Sequence, residues 1–233
     1  MNILLTGGSG TLGTELKKLI YHIDHKLSSP SSREFNIVNF DSLLAYEIPE
    51  TPDILIHCAA YTDVKASEVD FLTALDSNII GTCNIIKYCK INNIKLIHIS
   101  TDHVFDGLDG HYLPHSKINP VAKYAKSKAA AEIAASMYDN CLIIRTSFFP
   151  VKFPYEKAFT DQYSSKDYVD IIAPKVLKAA LSDSKGIVHC GSPRESIYNI
   201  AKRRSPDVIP IQRKDFKFPT LKDTSLKINQ EFD

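Results

Sequence analysis

The chain has 233 residues, of which 44% are hydrophobic and 24% charged, and its formal net charge is +1. This composition is that of a globular protein, and the length suffices for one large α/β domain with its own hydrophobic core. The charge gives no basic excess for nucleic acid, and no apolar run reaches the ~20 residues that cross a bilayer, so we expect neither a nucleic-acid nor a membrane partner.

Apolar runs typical of strands alternate with segments of helical periodicity. In chain order, the predicted elements are a strand at 2–6, a helix at 11–22, a weak strand at 26–29, a strand at 53–59, a long helix at 67–92, a strand at 95–100, a helix at 121–138, a strand at 141–146, a helix at 167–181 and a strand at 186–190. Such alternation indicates a parallel sheet covered on both faces. The predicted fold class is α/β: a Rossmann-type, doubly wound parallel sheet with a small, reduced C-terminal lobe.

A glycine-rich loop, TGGSGTLG, follows the first predicted strand directly. Gly7, Gly10 and Gly13 have a spacing that permits a tight turn and a close approach of backbone to a pyrophosphate. The helix that starts at Thr11 and Leu12 adds free N–H groups at its N-terminus. A strand before the loop and an amphipathic helix after it are the context in which this pattern predicts a dinucleotide site.

The residues after the second predicted strand indicate which dinucleotide is bound. Ser31 and Arg33 lie where the chain leaves that strand, and their hydroxyl and guanidinium groups could accept a 2′-phosphate. This favours NADPH as the cofactor. The alternatives are a solvated turn at these residues and NADH as the cofactor, with Asp41 as a rival acid placed later in the chain.

Tyr124 and Lys128 are four residues apart at the start of a predicted helix and therefore share one face. A neighbouring ammonium and the charge of the cofactor's nicotinamide would lower the pKa of a tyrosine, which could then protonate a carbonyl oxygen as a general acid. Thr101, or less favourably Ser100, ends a predicted strand at the expected ligand edge and would polarise the same oxygen. The same spacing recurs at Tyr198 and Lys202, which we interpret as an exposed helix.

The domain organisation follows from these motifs. Residues 1–147 are predicted to form the NAD(P)-binding Rossmann domain with the catalytic residues. Residues 148–233 are predicted to combine the substrate lobe with the last strand and helix of the sheet, in one compact unit. The irregular stretches 150–166 and 205–233 would form this lobe over the carboxyl edge of the sheet.

Cysteine and histidine usage gives further expectations. The five cysteines contain no CxxC pair, so we expect reduced thiols and a cytoplasmic protein. The opening residues MNILLTGG lack the charged region of a signal peptide. His57 and His98 are predicted to lie within strands of the core, and no histidine pair has metal-ligand spacing with a third ligand, so no metal is predicted.

The sequence resembles the dTDP-4-dehydrorhamnose reductase family of extended short-chain dehydrogenases/reductases. The strings that carry the resemblance are MNILLTGGSGTLG, DILIHCAAYTDV, SNIIGTCNI, KLIHISTDHVFDG, YAKSK, IIRTS, DQYSSKDYVDIIA and KDTSLKIN. The resemblance implies NADPH-dependent reduction of the C4 ketone of a nucleotide-linked 6-deoxysugar, with Thr101, Tyr124 and Lys128 as catalytic residues.

The resemblance also implies a set of binding residues. Ala59, Ala60, Tyr61 and Lys128 would line the cofactor, and Asn36 would touch its adenine. The sugar would face Thr62, Val64, His103 and Phe148. Family members usually carry tyrosine at the position of His103 and tryptophan at that of Phe148, and their segment corresponding to 147–161 is longer.

Two other functions remain open at this stage, as does assembly into a homodimer. The first is a bifunctional 3,5-epimerase/4-reductase, in which His103 would exchange protons next to the ketone. The second is a non-catalytic nucleotide-binding subunit, similar to the regulatory subunit of methionine adenosyltransferase. Fold alone does not decide between them.

Overall fold

A six-stranded parallel sheet forms the centre of the computed structural model, which describes residues 1–48, 50–217 and 220–232. The strands in chain order are β1 (Asn2–Thr6), β2 (Lys26–Ser28), β3 (Ile54–His57), β4 (Lys95–Ser100), β5 (Cys141–Arg145), β6 (Phe148–Phe149), β7 (Lys157–Phe159), β8 (Tyr163–Ser164), β9 (Asp167–Tyr168), β10 (Gly186–His189), β11 (Glu195–Ser196) and β12 (Ile209–Ile211). The central sheet has the order β10-β5-β4-β3-β1-β2.

Helices cover both faces of this sheet. They are α1 (Thr11–Tyr21), α2 (Phe40–Ala45), α3 (Val64–Val69), α4 (Leu72–Ala74), α5 (Gly81–Asn92), α6 (Lys123–Ala135), α7 (Val169–Ala180) and α8 (Ile197–Lys202), with a π-helical segment at Leu75–Ile80 and short 3₁₀ turns at Asp102–Val104, Arg213–Asp215 and Gln230–Phe232. Helices α1 and α7 pack together on one face, and α5 and α6 pack together on the other. The predicted α/β class with a doubly wound parallel sheet is thereby confirmed.

The apolar strands explain the two-sided core. Alternate residues of β1 point to opposite faces, so Ile3 and Leu5 join the core under α1 and α7, while Leu4 joins the core under α5. Helix α1 buries Leu12, Leu16 and Ile20, the apolar face that its periodicity predicts. Both faces of the sheet are thus closed to solvent.

The strand order places a crevice between β1 and β3. The chain leaves β1 toward the edge strand β2 and then returns to form β3 on the other side of β1. The connections after β1 and β3 therefore diverge, and ligands of open α/β sheets bind at such a switch point, beyond the carboxyl ends of the strands.

The long helix predicted at 67–92 is interrupted in the structure. Asp63 accepts a hydrogen bond from the N–H of Ala66 and starts α3, and Asp70 accepts one from the N–H of Leu72 and starts a new helical segment. Val69 and Leu72, which periodicity placed on a buried stripe, are 89% and 57% exposed. Helix α3 thus begins before residue 67 and ends at Asp70, where the chain turns before α4, and the prediction of one continuous helix was wrong.

A small lobe follows β5. Three two-stranded pairings, β6 with β9, β7 with β12 and β8 with β11, surround a separate apolar core that includes Phe149, Tyr168 and Ile200. Strand β10 and helix α7, which come from the same part of the chain, belong to the central sheet and its cover. In the described part of the chain, no helix combines the length and apolarity needed to cross a membrane.

Candidate active site

The loop between β1 and α1 has a conformation that requires glycine. Gly7 has φ of +70°, and a Cβ atom there would lie 2.5 Å from the backbone nitrogen of Ala59. A Cβ at Gly13 would lie 2.2 Å from the carbonyl oxygen of Gly7. The loop, the end of β3 and the first turn of α1 therefore pack without room for side chains.

The N-terminus of α1 offers donors to an anion. Its N-cap residue is Gly10, so no side chain caps the free N–H groups of the first turn. A Cβ at Gly10 would have one close contact, 3.3 Å to the carbonyl oxygen of Gly7, and is otherwise directed into open space. These features fit the diphosphate of a dinucleotide, which needs backbone donors and close approach.

Two cavities open at the carboxyl edge of the sheet and share Gly7, Gly10, Cys58 and Ala60. The first, here called the Tyr124 cavity, has a volume of about 380 Å³ and is lined by Gly7, Gly10, Thr11, Leu12, Gly13, Cys58, Ala60, Thr62, Val64, Ile99, Ser100, Thr101, His103, Tyr124, Lys128, Thr146, Ser147, Phe148, Pro150 and Lys166. The second, the Ser31 cavity, has a volume of about 590 Å³ and is lined by Thr6, Gly7, Gly8, Ser9, Gly10, Lys17, Ser29, Pro30, Ser31, Ser32, Phe35, Asn36, Ile37, Val38, Cys58, Ala59, Ala60, Tyr61 and Ser77.

Tyr124, Lys128 and Thr101 meet in the Tyr124 cavity. The first turns of α6 hold Tyr124 and Lys128, and the ammonium of Lys128 donates a hydrogen bond to the carbonyl oxygen of Ile99 at 2.8 Å. Thr101 follows β4 directly, and its hydroxyl accepts a hydrogen bond from the N–H of His103. Helix α6 and the end of β4 thus place a phenol, an ammonium and a hydroxyl group in the same cavity.

The pKa values of this group differ from the sequence-based expectation. Burial, and then the charge of Asp102, raise the pKa of Tyr124 to about 12, although a hydrogen bond with Thr101 opposes the shift. Burial lowers the pKa of Lys128 to about 8, against the opposing charge of Glu132. The tyrosine therefore holds its proton firmly at neutral pH, rather than having its pKa lowered by Lys128.

A buried ion pair lies beneath the cavity. Glu132 on α6 and Arg145 on β5 are both less than 5% exposed, and the distance between Arg145 Nη2 and Glu132 Oε1 is 2.6 Å. The hydroxyl of Ser100 donates to the other carboxylate oxygen at 2.5 Å. This pair fixes α6 against β4 and β5, one helical turn beyond Lys128.

Asp102 ties the lobe to the site. Its buried carboxylate accepts hydrogen bonds from the hydroxyls of Ser147, Ser164 and Thr224, the last at 2.7 Å. Burial raises the pKa of Asp102, but nearby His103 and Lys166 and these hydroxyls outweigh it, so the pKa lies below its usual value. Asp102 is therefore an anion at neutral pH, and its carboxylate oxygens are occupied by these three hydrogen bonds.

The residues implied for the sugar all line the Tyr124 cavity: Thr62, Val64, His103 and Phe148. The ring of His103 packs edge-on to that of Tyr124, with 6.3 Å between centroids. Burial lowers the pKa of His103 despite the opposing charge of Asp102, so its ring is neutral at neutral pH.

The residues implied for the cofactor divide between the two cavities. Gly7 and Gly10 lie between them, Thr11, Leu12, Gly13 and Lys128 line the Tyr124 cavity, and Ser31, Asn36, Ala59 and Tyr61 line the Ser31 cavity, with Ala60 in both. Arg33 is exposed and lines neither cavity. The phosphate contact predicted for Arg33 therefore stays a prediction.

Two lysines that no sequence pattern identified line these cavities. Lys166, from a stretch predicted to be irregular, enters the Tyr124 cavity, and Lys17, from the middle of α1, enters the Ser31 cavity. Helical periodicity alone places Lys17 at the border of the buried face of α1. Among the described residues, no group of three histidine, cysteine, aspartate or glutamate side chains is arranged to hold a metal ion.

The fold and the glycine loop define a Rossmann-type α/β protein, with the loop at the carboxyl edge of its sheet. More specifically, the chain belongs to the RmlD substrate binding domain family, whose model matches residues 1–160. This match confirms the family resemblance that the sequence motifs indicated.

Similar proteins extend this result. The dTDP-4-dehydrorhamnose reductase of Aggregatibacter actinomycetemcomitans is 32% identical over 149 residues, which cover 63% of this chain and 51% of that protein. The chain thus spans about half the length of the curated relatives it matches. A solved structure described as a hypothetical dTDP-4-dehydrorhamnose reductase from Sulfolobus tokodaii is 28% identical with a TM-score of 0.86, covering 99% of this chain and 93% of that one. A dTDP-4-dehydrorhamnose reductase from Bacillus anthracis, solved in complex with NADP, is 23% identical with a TM-score of 0.87, covering 98% and 90%.

Proposed function

We propose that this chain is an NADPH-dependent reductase that converts the C4 ketone of a nucleotide-linked 4-keto-6-deoxysugar to an alcohol. The observation that carries the proposal is the meeting of Tyr124, Lys128 and Thr101 with the glycine loop in one cavity. The names of the similar proteins, dTDP-4-dehydrorhamnose reductases, support the reaction and the substrate class. The NADP complex of the Bacillus anthracis protein supports the cofactor.

The protonation states fit reduction of a ketone. NADPH, which the glycine loop would hold, would supply the hydride that the carbonyl carbon receives. Tyr124 Oη, with a pKa of about 12, carries the proton that the carbonyl oxygen must receive. The Thr101 hydroxyl, which donates to Asp102 in the structure, would donate to the same carbonyl oxygen when substrate is bound. The Lys128 ammonium is held in the same cavity by the carbonyl oxygen of Ile99.

The charge of the Tyr124 cavity fits an anionic substrate. Lys128, Lys166 and His103 are the cationic or titratable-base groups in its lining, and no described lining residue is an aspartate or glutamate. Lys166 is close enough to His103 for its charge to lower the pKa of that ring. A diphosphate on the substrate would therefore meet a positive electrostatic potential on entering the cavity.

We also propose a cytoplasmic location. Cys58, Cys83, Cys89 and Cys141 have free thiols, which is the state that the reducing cytoplasm maintains.

The test is NADPH oxidation, followed by absorbance, with a dTDP-4-keto-6-deoxyhexose supplied alone and after treatment with a separate 3,5-epimerase. Turnover in either arm supports a 4-ketoreductase. Incorporation of solvent deuterium at C3 or C5 during turnover without the epimerase would support an epimerising role for His103. NADPH binding without any turnover would refute the reductase and favour a nucleotide-binding subunit.

The Tyr124→Phe variant tests the proton donor. We expect NADPH binding to persist and turnover to fall about a hundredfold or more, because a general acid is removed. Tyr198→Phe is the matched control, since Tyr198 has the same spacing to a lysine but lies on α8, outside both cavities. Near-full activity of Tyr124→Phe would contradict the mechanism.

A further inference from the structure

We propose that Lys17 is the residue that binds the 2′-phosphate of NADPH and so sets the preference for NADPH over NADH. The proposal rests on the dinucleotide site of the proposed function. It assigns to the middle of α1 a specificity role that the sequence motifs placed on Arg33.

The location of Lys17 is the first argument. Lys17 is half-buried and lines the Ser31 cavity together with Ser29, Ser31 and Ser32, the residues that follow or end the region of β2. In Rossmann-type folds the end of the second strand is where the adenosine ribose hydroxyls bind. Lys17 therefore faces the place where a 2′-phosphate would lie.

The packing around Gly8 fixes this arrangement. A Cβ atom at Gly8 would lie 2.0 Å from Ser29 Oγ and 3.5 Å from Lys17 Cδ. The stem of Lys17 and the hydroxyl of Ser29 thus both approach the same backbone position. The glycine lets α1 and the end of β2 come close enough for a lysine on the helix to reach the strand end.

Among the lysine and arginine side chains near the Ser31 cavity, Lys17 is the one placed to bind a 2′-phosphate. The neighbouring Lys18 is exposed and pairs with Glu15 at 2.7 Å, and Arg33 lines neither cavity. In the described part of the chain, no ion pair involves Lys17. Its ammonium is the one lysine or arginine charge in the described lining of the Ser31 cavity.

Glu34 lines neither cavity but bonds to Ser31, which lines the Ser31 cavity. Its carboxylate accepts hydrogen bonds from both the N–H and the hydroxyl of Ser31, each at 2.8 Å. The backbone bond, followed by the hydroxyl bond, lowers the pKa of Glu34, so the group is anionic at neutral pH. It occupies the two donors of Ser31, so a phosphate at this strand end would take its hydrogen bonds from other groups, of which the Lys17 ammonium carries a positive charge.

The experiment is calorimetric titration with 2′,5′-ADP and with 5′-ADP, which differ in the phosphate on the 2′-oxygen. We expect Lys17→Ala to weaken 2′,5′-ADP binding by about ten- to a hundredfold, because a charge-assisted hydrogen bond is lost, and to leave 5′-ADP binding nearly unchanged. Lys18→Ala, the control one residue along the same helix, should change neither, and Lys17→Arg should retain 2′,5′-ADP binding. Glu34→Gln should strengthen 2′,5′-ADP binding selectively, because a negative charge is removed.

The outcomes separate this proposal from the proposed function. If Lys17→Ala weakens the binding of both ligands equally, or of neither, Lys17 has no selective role and the proposal is wrong. The proposed reductase is not affected by that result, because the wild-type titrations test its dinucleotide site separately. Wild-type binding of 5′-ADP that is tighter than that of 2′,5′-ADP would also overturn it, and would indicate NADH. Failure of the wild type to bind NADPH, NADH and both fragments would refute the dinucleotide site itself.

Discussion

Replacing Glu132 by glutamine should destabilise the fold strongly, because it removes the charge that compensates Arg145. Arg145 is 2% exposed and donates three contacts to the carboxylate: from Nε at 3.2 and 3.1 Å and from Nη2 at 2.6 Å. Its other partners, the carbonyl oxygen of Pro114 and the ring of His189, carry no negative charge. The guanidinium would thus remain buried without a counter-ion.

The magnitude follows from the cost of such a charge. Removing one partner of a buried ion pair costs about 3–5 kcal/mol, and the amide oxygen of glutamine retains one acceptor, so we expect about 3 kcal/mol. For a chain of this size, 1 kcal/mol shifts the melting temperature by about 2–4 °C, so the midpoint should fall by about 6–12 °C.

Urea unfolding followed by circular dichroism, together with thermal melting, measures this loss. Glu15→Gln is the control, since Glu15 forms an exposed pair with Lys18 that contributes at most about 0.5 kcal/mol. A loss below about 1 kcal/mol for Glu132→Gln, with the control unchanged, would refute the argument that Arg145 depends on this carboxylate.

Two further predictions concern activity. Because burial lowers the pKa of Lys128 to about 8, turnover should fall as the pH rises through about 8. In Glu132→Gln this fall in turnover should occur at lower pH, since the Glu132 carboxylate raises the pKa of Lys128. A pH profile of turnover at saturating substrate checks both expectations. A fall at the same pH in Glu132→Gln as in the wild type would contradict the influence of Glu132 on Lys128. Lys166→Ala should raise the KM for the nucleotide sugar by about tenfold and leave kcat nearly unchanged, because a cation that meets the substrate's diphosphate is lost. Lys152→Ala, an exposed lysine of the same lobe, is the control, and equal effects of the two variants would remove the special role of Lys166.

The central sheet could be predicted because its strands are short apolar runs whose signal is local. The runs at 53–59, 95–100 and 141–146 each contain a buried strand, since both faces of a parallel sheet are covered. The glycine loop was predictable for a similar reason: Gly7 and Gly13 lie at backbone positions where only glycine fits.

The missed features depend on contacts between distant parts of the chain. Whether Lys17 or Arg33 reaches a cavity depends on how α1 packs beside the end of β2, which neither residue's neighbours in sequence reveal. The break at Asp70 shows a second limit of sequence prediction, because a local hydrogen bond from the N–H of Leu72 to the Asp70 side chain accompanies a non-helical backbone that periodicity does not reveal. The pKa of Tyr124 was expected to be lowered by Lys128, but burial, which sequence spacing does not reveal, dominates.

The contacts of Asp102 explain how a small lobe can still shape the site. Thr224, which is 122 residues away in sequence, and Ser164 both donate to Oδ2 of this carboxylate, and Ser147 donates to Oδ1. Each donor comes from a different segment after β5, so one buried anion next to Thr101 holds three parts of the lobe. Because an unpaired buried carboxylate is costly, these segments are held against the end of β4 by the same group that borders the reaction centre. The lobe side of the Tyr124 cavity is therefore positioned through Asp102 and does not depend on the lobe's own small core alone.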